Sequence, residues 1–103
     1  MGIRIERSSG NVFSDLGFNR EEAESLKLRA ELMLQITRLI KKRKVTQAEA
    51  AKLLGVTQPR ISDLVRGRID LFSIDGLVEM LARAGMRVRV HVAQRRRKHP
   101  EAA

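Results

Sequence analysis

The chain has 103 residues, with 21 Lys and Arg against 12 Asp and Glu, a formal net charge of +9, no Cys and two His. Without Cys there is no disulfide and no thiolate chemistry, and His91 and His99 alone do not make an ordinary zinc site. Hydrophobic residues are 43% and charged residues 32% of the chain, a folding composition that suits one domain. Its core must be aliphatic, because Phe13, Phe18 and Phe72 are the only aromatic residues. No run approaches the ~18 apolar residues of a membrane span, and the opening MGIRIERSSGN lacks the apolar segment of a secretory signal. The expectation is a cytoplasmic protein without membrane contact and without a cofactor.

The charge is unevenly placed. Residues 1–40 are neutral, with Arg4, Arg7, Arg20, Lys27, Arg29 and Arg38 balanced by Glu6, Asp15, Glu21, Glu22, Glu24 and Glu31. The whole of the +9 therefore falls in residues 41–103. A basic remainder of this kind suits a polyanionic partner, with solubility alone as the competing explanation.

In chain order, Ile3-Arg4-Ile5-Glu6 alternates as a short strand does, and Ser8-Ser9-Gly10-Asn11 reads as a turn. Val12, Phe13, Leu16 and Phe18 form an apolar knot around Gly17. Asn19 is placed to cap a helix over 20–43, with Glu21 and Glu22 at its positive end. Ala23, Leu26, Ala30, Met33, Ile36 and Ile40 recur on that helix every three or four residues, and Leu32 and Leu39 widen the stripe. Lys41-Lys42-Arg43-Lys44 stack positive charge at its carbonyl end. Thr46 with Glu49 three residues on is a capping box opening a helix over 47–54, which Gly55 ends. Thr57 is the expected cap of the next helix, Pro59 sits in its first turn, and Gly67 follows its end near Arg66. Ser73 caps a helix over 74–84 that stops at Gly85. From Met86 the period becomes two: Met86, Val88, Val90 and Val92 alternate with Arg87, Arg89 and His91 as one half-buried strand. The tail from Arg95 is polar and basic, with solvation and loose DNA contact as its two readings.

The segment 47–66 decides the function. Two helices of about eight residues are joined by a tight turn through Gly55, with small Ala51 at the crossing and Leu54, Val56, Ile61 and Leu64 as apolar contacts. That is a helix-turn-helix, whose second helix is presented to a major groove. Gln58, Pro59, Arg60, Ser62, Asp63 and Arg66 are its exposed positions. Gln bonds an adenine edge and Arg a guanine edge, and the N–H groups at Thr57-Gln58 suit a phosphate. Asp63 either accepts from a cytosine amine or pairs with Arg60 or Arg66, and the pairing is the favoured reading. An ordinary helical hairpin explains the apolar residues but not the paired capping signals beside a basic surface. No Ser/His/Asp or Cys/His set, phosphate-cradling glycine loop or metal cluster is present, so no catalysis is expected. Glu21, Glu22 and Glu24 read as a helix start.

VTQAEAAKLLGVTQPRISDLVRGRIDLFSIDGLVEMLARAG resembles the Xre/Cro-type helix-turn-helix regulators. Taken with NVFSDLGF, LKLRAELMLQI and MRVRVHV, nearly the whole chain is similar to HigA-like antitoxins and related short Xre regulators. The resemblance implies a mainly α, lambda-repressor-like bundle of about five helices with a short C-terminal β-strand. It implies a phosphate contact for Gln47, base edges for Thr57, Gln58 and Pro59, and also for Ser62 and Asp63, and phosphates or bases for Arg60, Arg66 and Arg68. Pro59 departs from the polar residue common there and offers only apolar contact, for example to a thymine methyl.

The organisation expected is an N-terminal segment 1–18, a helix-turn-helix domain 19–85, a strand 86–93 and a basic tail 94–103. The expected function is a sequence-specific repressor that binds a palindromic operator in double-stranded DNA as a homodimer. The leading form is the antitoxin of a toxin–antitoxin operon, with a RelE-like ribonuclease toxin docked on Phe13, Leu16 and Phe18. Closure of the core by those three residues is the alternative, and the more favoured one for Phe18. A stand-alone Xre-family repressor and a protein-sequestering module are the rivals. Because the chain offers little besides Ile3–Glu6 to pair this strand with, Val88, Val90 and Val92 are expected to pair antiparallel across a two-fold axis. The competing arrangement pairs that strand with residues 3–6 of the same chain.

Overall fold

The computed structural model describes residues 2–6, as backbone, and residues 12–94. Strand β1 is Gly2–Glu6, followed by helices α1 (Val12–Asp15), α2 (Arg20–Arg43), α3 (Gln47–Leu54) and α4 (Gln58–Val65). A 3-10 turn at Ile69–Leu71, α5 (Ile74–Arg83) and β2 (Arg87–His91) complete it. The mainly helical class is as expected, and the apolar knot contributes a one-turn helix, α1. The turn expected at Ser8–Asn11 and the basic tail lie outside the described residues.

Local chemistry sets the helix ends. Asn19 Oδ1 accepts from the Glu22 N–H at 2.8 Å, and Ser73 Oγ accepts from the Gly76 N–H at 3.0 Å. At α3 the capping box is complete: the Thr46 N–H donates to Glu49 Oε1 at 2.8 Å, and the Glu49 N–H donates to Thr46 Oγ1 at 3.1 Å. α2 stops where Lys44 turns left-handed at φ 55. α3 stops at Gly55, φ 73, a conformation that costs a glycine least.

Seven aliphatic side chains, Leu32, Ile36, Leu54, Ile61, Leu64, Leu77 and Leu81, are essentially sealed from solvent and come from all four of the longer helices. Phe72 is the one aromatic ring buried with them, and no polar or charged residue is buried among the described residues. The long α2 is the floor of this core. Arg29 on α2 ties the 3-10 turn down, donating to the Ile69 carbonyl at 3.3 Å and to Ser25 Oγ at 3.1 Å.

The strand pairing follows the competing arrangement. β1 and β2 form a two-stranded parallel sheet, with Gly2 opposite Arg87, Ile3 opposite Val88, Arg4 opposite Arg89, Ile5 opposite Val90 and Glu6 opposite His91. A parallel pair needs a long crossover, and here the entire helical bundle supplies it. β1 packs on α2, and β2 leaves α5, which packs on α2, so one helix brings the two strands together. The backbone groups of one β2 edge are satisfied without a second copy. Val88 packs on the core, whereas Val90 is 51% and Val92 76% exposed.

The capping box carries a pH dependence. Glu49 is held below the ordinary carboxylate range, first by the Thr46 N–H that donates to it, then by the Thr46 side chain and by Lys52. A depressed value in the folded state means stability that is complete above the ordinary carboxylate pKa and lost as pH falls through the depressed one. Glu49→Gln keeps an acceptor at that position without the titration. The fall of thermal midpoint between about pH 6 and about pH 3 is therefore expected to be shallower in the variant. Superimposable pH profiles would contradict this assignment.

Candidate nucleic-acid interface

The capped N-terminus of α3 leaves Gln47 exposed beside it, with exposed Lys44 three residues before. The turn through Gly55 brings α4 back across α3. A Cβ at Gly55 would meet the flexible end of the Arg83 side chain of α5, so glycine is favoured there by its left-handed φ and not by a fixed wall. Arg83 thereby sits against the helix-turn-helix turn, which its sequence position on a separate helix does not disclose.

α4 buries Ile61 and Leu64 completely. At 100° per residue the opposite face carries Pro59, Ser62, Asp63 and Arg66, with Gln58 on its flank. Pro59, Gln58 and Arg66 are exposed, and Ser62 and Asp63 are half-covered. Thr57 has the extended backbone of a cap, but its side chain makes no capping bond, so the expected cap is positional only. Pro59 has no N–H and the Arg60 N–H bonds the Thr57 carbonyl at 3.1 Å. The donors free for a phosphate narrow to the N–H groups of Thr57 and Gln58, with the Thr57 hydroxyl beside them.

The arginines expected on DNA divide. Arg66 and Arg68 are exposed, and Arg68 has only a long 3.9 Å contact with exposed Asp70, a pair of little energetic weight. Arg60 turns back. Its guanidinium lies 4.3 Å from the Phe72 ring centroid and donates to the Leu71 carbonyl at 2.9 Å. It staples the start of α4 to the segment before α5, so its guanidinium is engaged within the fold. The favoured pairing of Asp63 with Arg60 or Arg66 is also absent, since Asp63 forms no ion pair among the described residues. Arg43, in the basic run that ends α2, is held by the Ala84 carbonyl at 3.2 Å.

Away from α4, Phe13 and Phe18 meet edge to face at 6.2 Å between centroids, beside the start of α2. Leu16 is 69% and Phe18 43% exposed, whereas Phe13 is half-buried. None of the three belongs to the main core, so Phe18 does not close it as favoured above. No His, Asp or Glu cluster able to hold a metal occurs among the described residues. No described helix is long and apolar enough to cross a membrane.

Comparison with known proteins places these features. A family model described as a helix-turn-helix domain matches residues 12–93. A solved structure described as an XRE-family transcriptional regulator superposes with a TM-score of 0.67 at 26% identity, covering 76% of this chain and 88% of that one. No significant match is found among curated proteins.

The staple at Arg60 is testable. Arg60→Ala is expected to lower the unfolding free energy by about 1–2 kcal/mol, from the lost cation–π contact and charged hydrogen bond. The salt dependence of DNA binding should keep its slope. A phosphate-binding Arg60 would give the reverse: unchanged stability and a slope smaller by about one.

Proposed function

From the premise that the chain belongs to the helix-turn-helix domain family, which its match over residues 12–93 establishes, we propose that it is a sequence-specific transcriptional repressor. It inserts α4 into the major groove of a palindromic operator. The observation that carries this reading is the outward face of α4: Pro59 and Arg66 are exposed opposite the seated Ile61 and Leu64, with exposed Gln58 on the flank and half-covered Ser62 beside them. Gln58 supplies an adenine-type contact and Arg66 a phosphate or guanine contact. Gln47, the N–H groups of Thr57 and Gln58, and Arg68 hold the backbone on either side.

The operator-binding form is a homodimer through β2. Its second edge has no backbone partner among the described residues, and Val90 and Val92 extend beyond the core. An antiparallel two-fold pairing of two such edges sets Val88, Val90 and Val92 in one row. It also brings Arg87 and Arg89 near their copies on the other face. Those exposed repulsions cost a few tenths of a kcal/mol each, against roughly 1.5 kcal/mol for each valine buried. Two recognition helices about 34 Å apart then meet successive major grooves. Nuclease protection should therefore show two half-sites about ten base pairs apart and be lost steeply with salt. Val90→Glu should sediment as a monomer and lose operator affinity. A Val90→Glu protein that remains dimeric would refute the strand contact, and absence of any protected sequence would refute the repressor.

Exposed Leu16 and Phe18 favour the more specific reading as the antitoxin of an operon that it represses. They form an apolar surface on the neutral end of the chain, remote in sequence from the basic half. A ribonuclease toxin docked on Leu16, Phe18 and the adjoining Phe13 leaves α4 free. Leu16→Ser combined with Phe18→Ser is expected to abolish capture of the toxin encoded in the adjoining reading frame while operator affinity is retained. Full capture by the double variant would exclude this docking site.

A further inference from the structure

We propose that Asp63 selects a cytosine, so that each operator half-site carries a C·G pair facing the second turn of α4. The inference rests on the reading of α4 as a major-groove helix. Pro59, Asp63 and Arg66 recur at i, i+4 and i+7 on the face turned away from Ile61 and Leu64.

A carboxylate on a surface meant for a polyanion needs compensation, and α-helix geometry provides two natural sources, cations three residues before and after. Both are present in the sequence, as Arg60 and Arg66. The fold diverts the first: Arg60 is committed to the Leu71 carbonyl and the Phe72 ring. The second makes no ion pair with Asp63, whose side chain accepts no hydrogen bond among the described residues. Its backbone is nevertheless fixed, because the Asp63 carbonyl accepts from the Arg68 N–H at 3.0 Å and closes the end of α4. An uncompensated acceptor is thus held on a rigid helix, on the face that meets the groove.

The base edges differ in how they receive such a group. Guanine offers N7 and O6 and thymine offers O4, all acceptors that repel a carboxylate. Adenine offers an N6 donor, but its N7 acceptor lies beside it. Cytosine alone presents an N4 donor without a competing acceptor of its own, and a charge-assisted hydrogen bond forms there. Asp63 is then stabilising on one base and repelled by the others and by phosphate. Basic residues raise affinity for any DNA, and this carboxylate withdraws part of that affinity from wrong sequences.

Selection from a random duplex library tests the assignment, using the full chain and two variants. The unaltered protein should enrich a motif with an invariant cytosine in each half-site, preferred by about tenfold over other bases there. Asp63→Asn, nearly isosteric, should move the preference at that position to adenine, because an amide accepts from N6 and donates to N7. Asp63→Ala should lose the preference there, leave the other motif positions in place, and bind scrambled duplex more tightly than the parent. Retention of the same cytosine by Asp63→Ala would overturn the inference. So would a uniform affinity gain in both variants with an unaltered motif, the mark of simple phosphate repulsion. If the parent enriches no sequence, base reading by Asp63 and the repressor reading fall together. An enriched motif indifferent to residue 63 removes only the former.

Discussion

An eight-residue helix is not stable alone in water, where about 12–15 residues are needed even for good helix formers. α4 exists because Ile61 and Leu64 are seated among Leu32, Ile36, Leu54, Leu77 and Leu81. That burial does two things at once. It holds the helix together, and it leaves Pro59, Ser62, Asp63 and Arg66 as the face that cannot turn inward. The aim of the recognition surface is therefore a packing result, and the site inherits the rigidity of the aliphatic core. Close packing makes that core intolerant of deleted methylenes. Truncating Leu54 would therefore disturb α4 without touching a residue on its outer face.

Arginine shows how far a net charge can mislead about a binding surface. Arg29, Arg43 and Arg60 donate to the backbone carbonyls of Ile69, Ala84 and Leu71. Each closes a loop or helix end onto a neighbouring element, and each keeps its positive charge while giving up its reach. Arg66 and Arg68 remain outward. Residue type is the same in all five, and what sets the first three apart is a backbone carbonyl of a neighbouring element within the length of the side chain. With Arg60 committed to Leu71 and Phe72 and Arg66 not paired to it, Asp63 forms no ion pair among the described residues.

The sheet solves a different problem. A single strand at the end of a helical chain carries unpaired backbone groups, and the two natural remedies are a second copy or another segment of the same chain. Residues 2–6 supply the second remedy on one edge of β2. Two strands have two outer edges, so this pairing moves the liability outward without removing it. Val90 and Val92 show the same incompleteness on the face of the sheet.

Much of this was legible in the amino-acid order, because the signals are local. Capping by Asn19, Thr46 with Glu49, and Ser73, the left-handed Gly55, and the change of period at Met86 each depend on a few adjacent residues, and they placed every longer helix within a residue or two. The helix-turn-helix followed from the caps, the Gly55 turn and the apolar contacts together, and the 3.6-residue period gave its outward face except for Arg60, which turns back. What sequence could not decide were contacts between residues far apart in the chain: Arg60 on Phe72, Arg83 against Gly55, β1 beside β2, and the exposure of Phe18. A guanidinium has several partners within reach along its own helix, and a strand has an equal claim on any other strand. Only the tertiary arrangement brings one candidate within bonding distance and removes the rest.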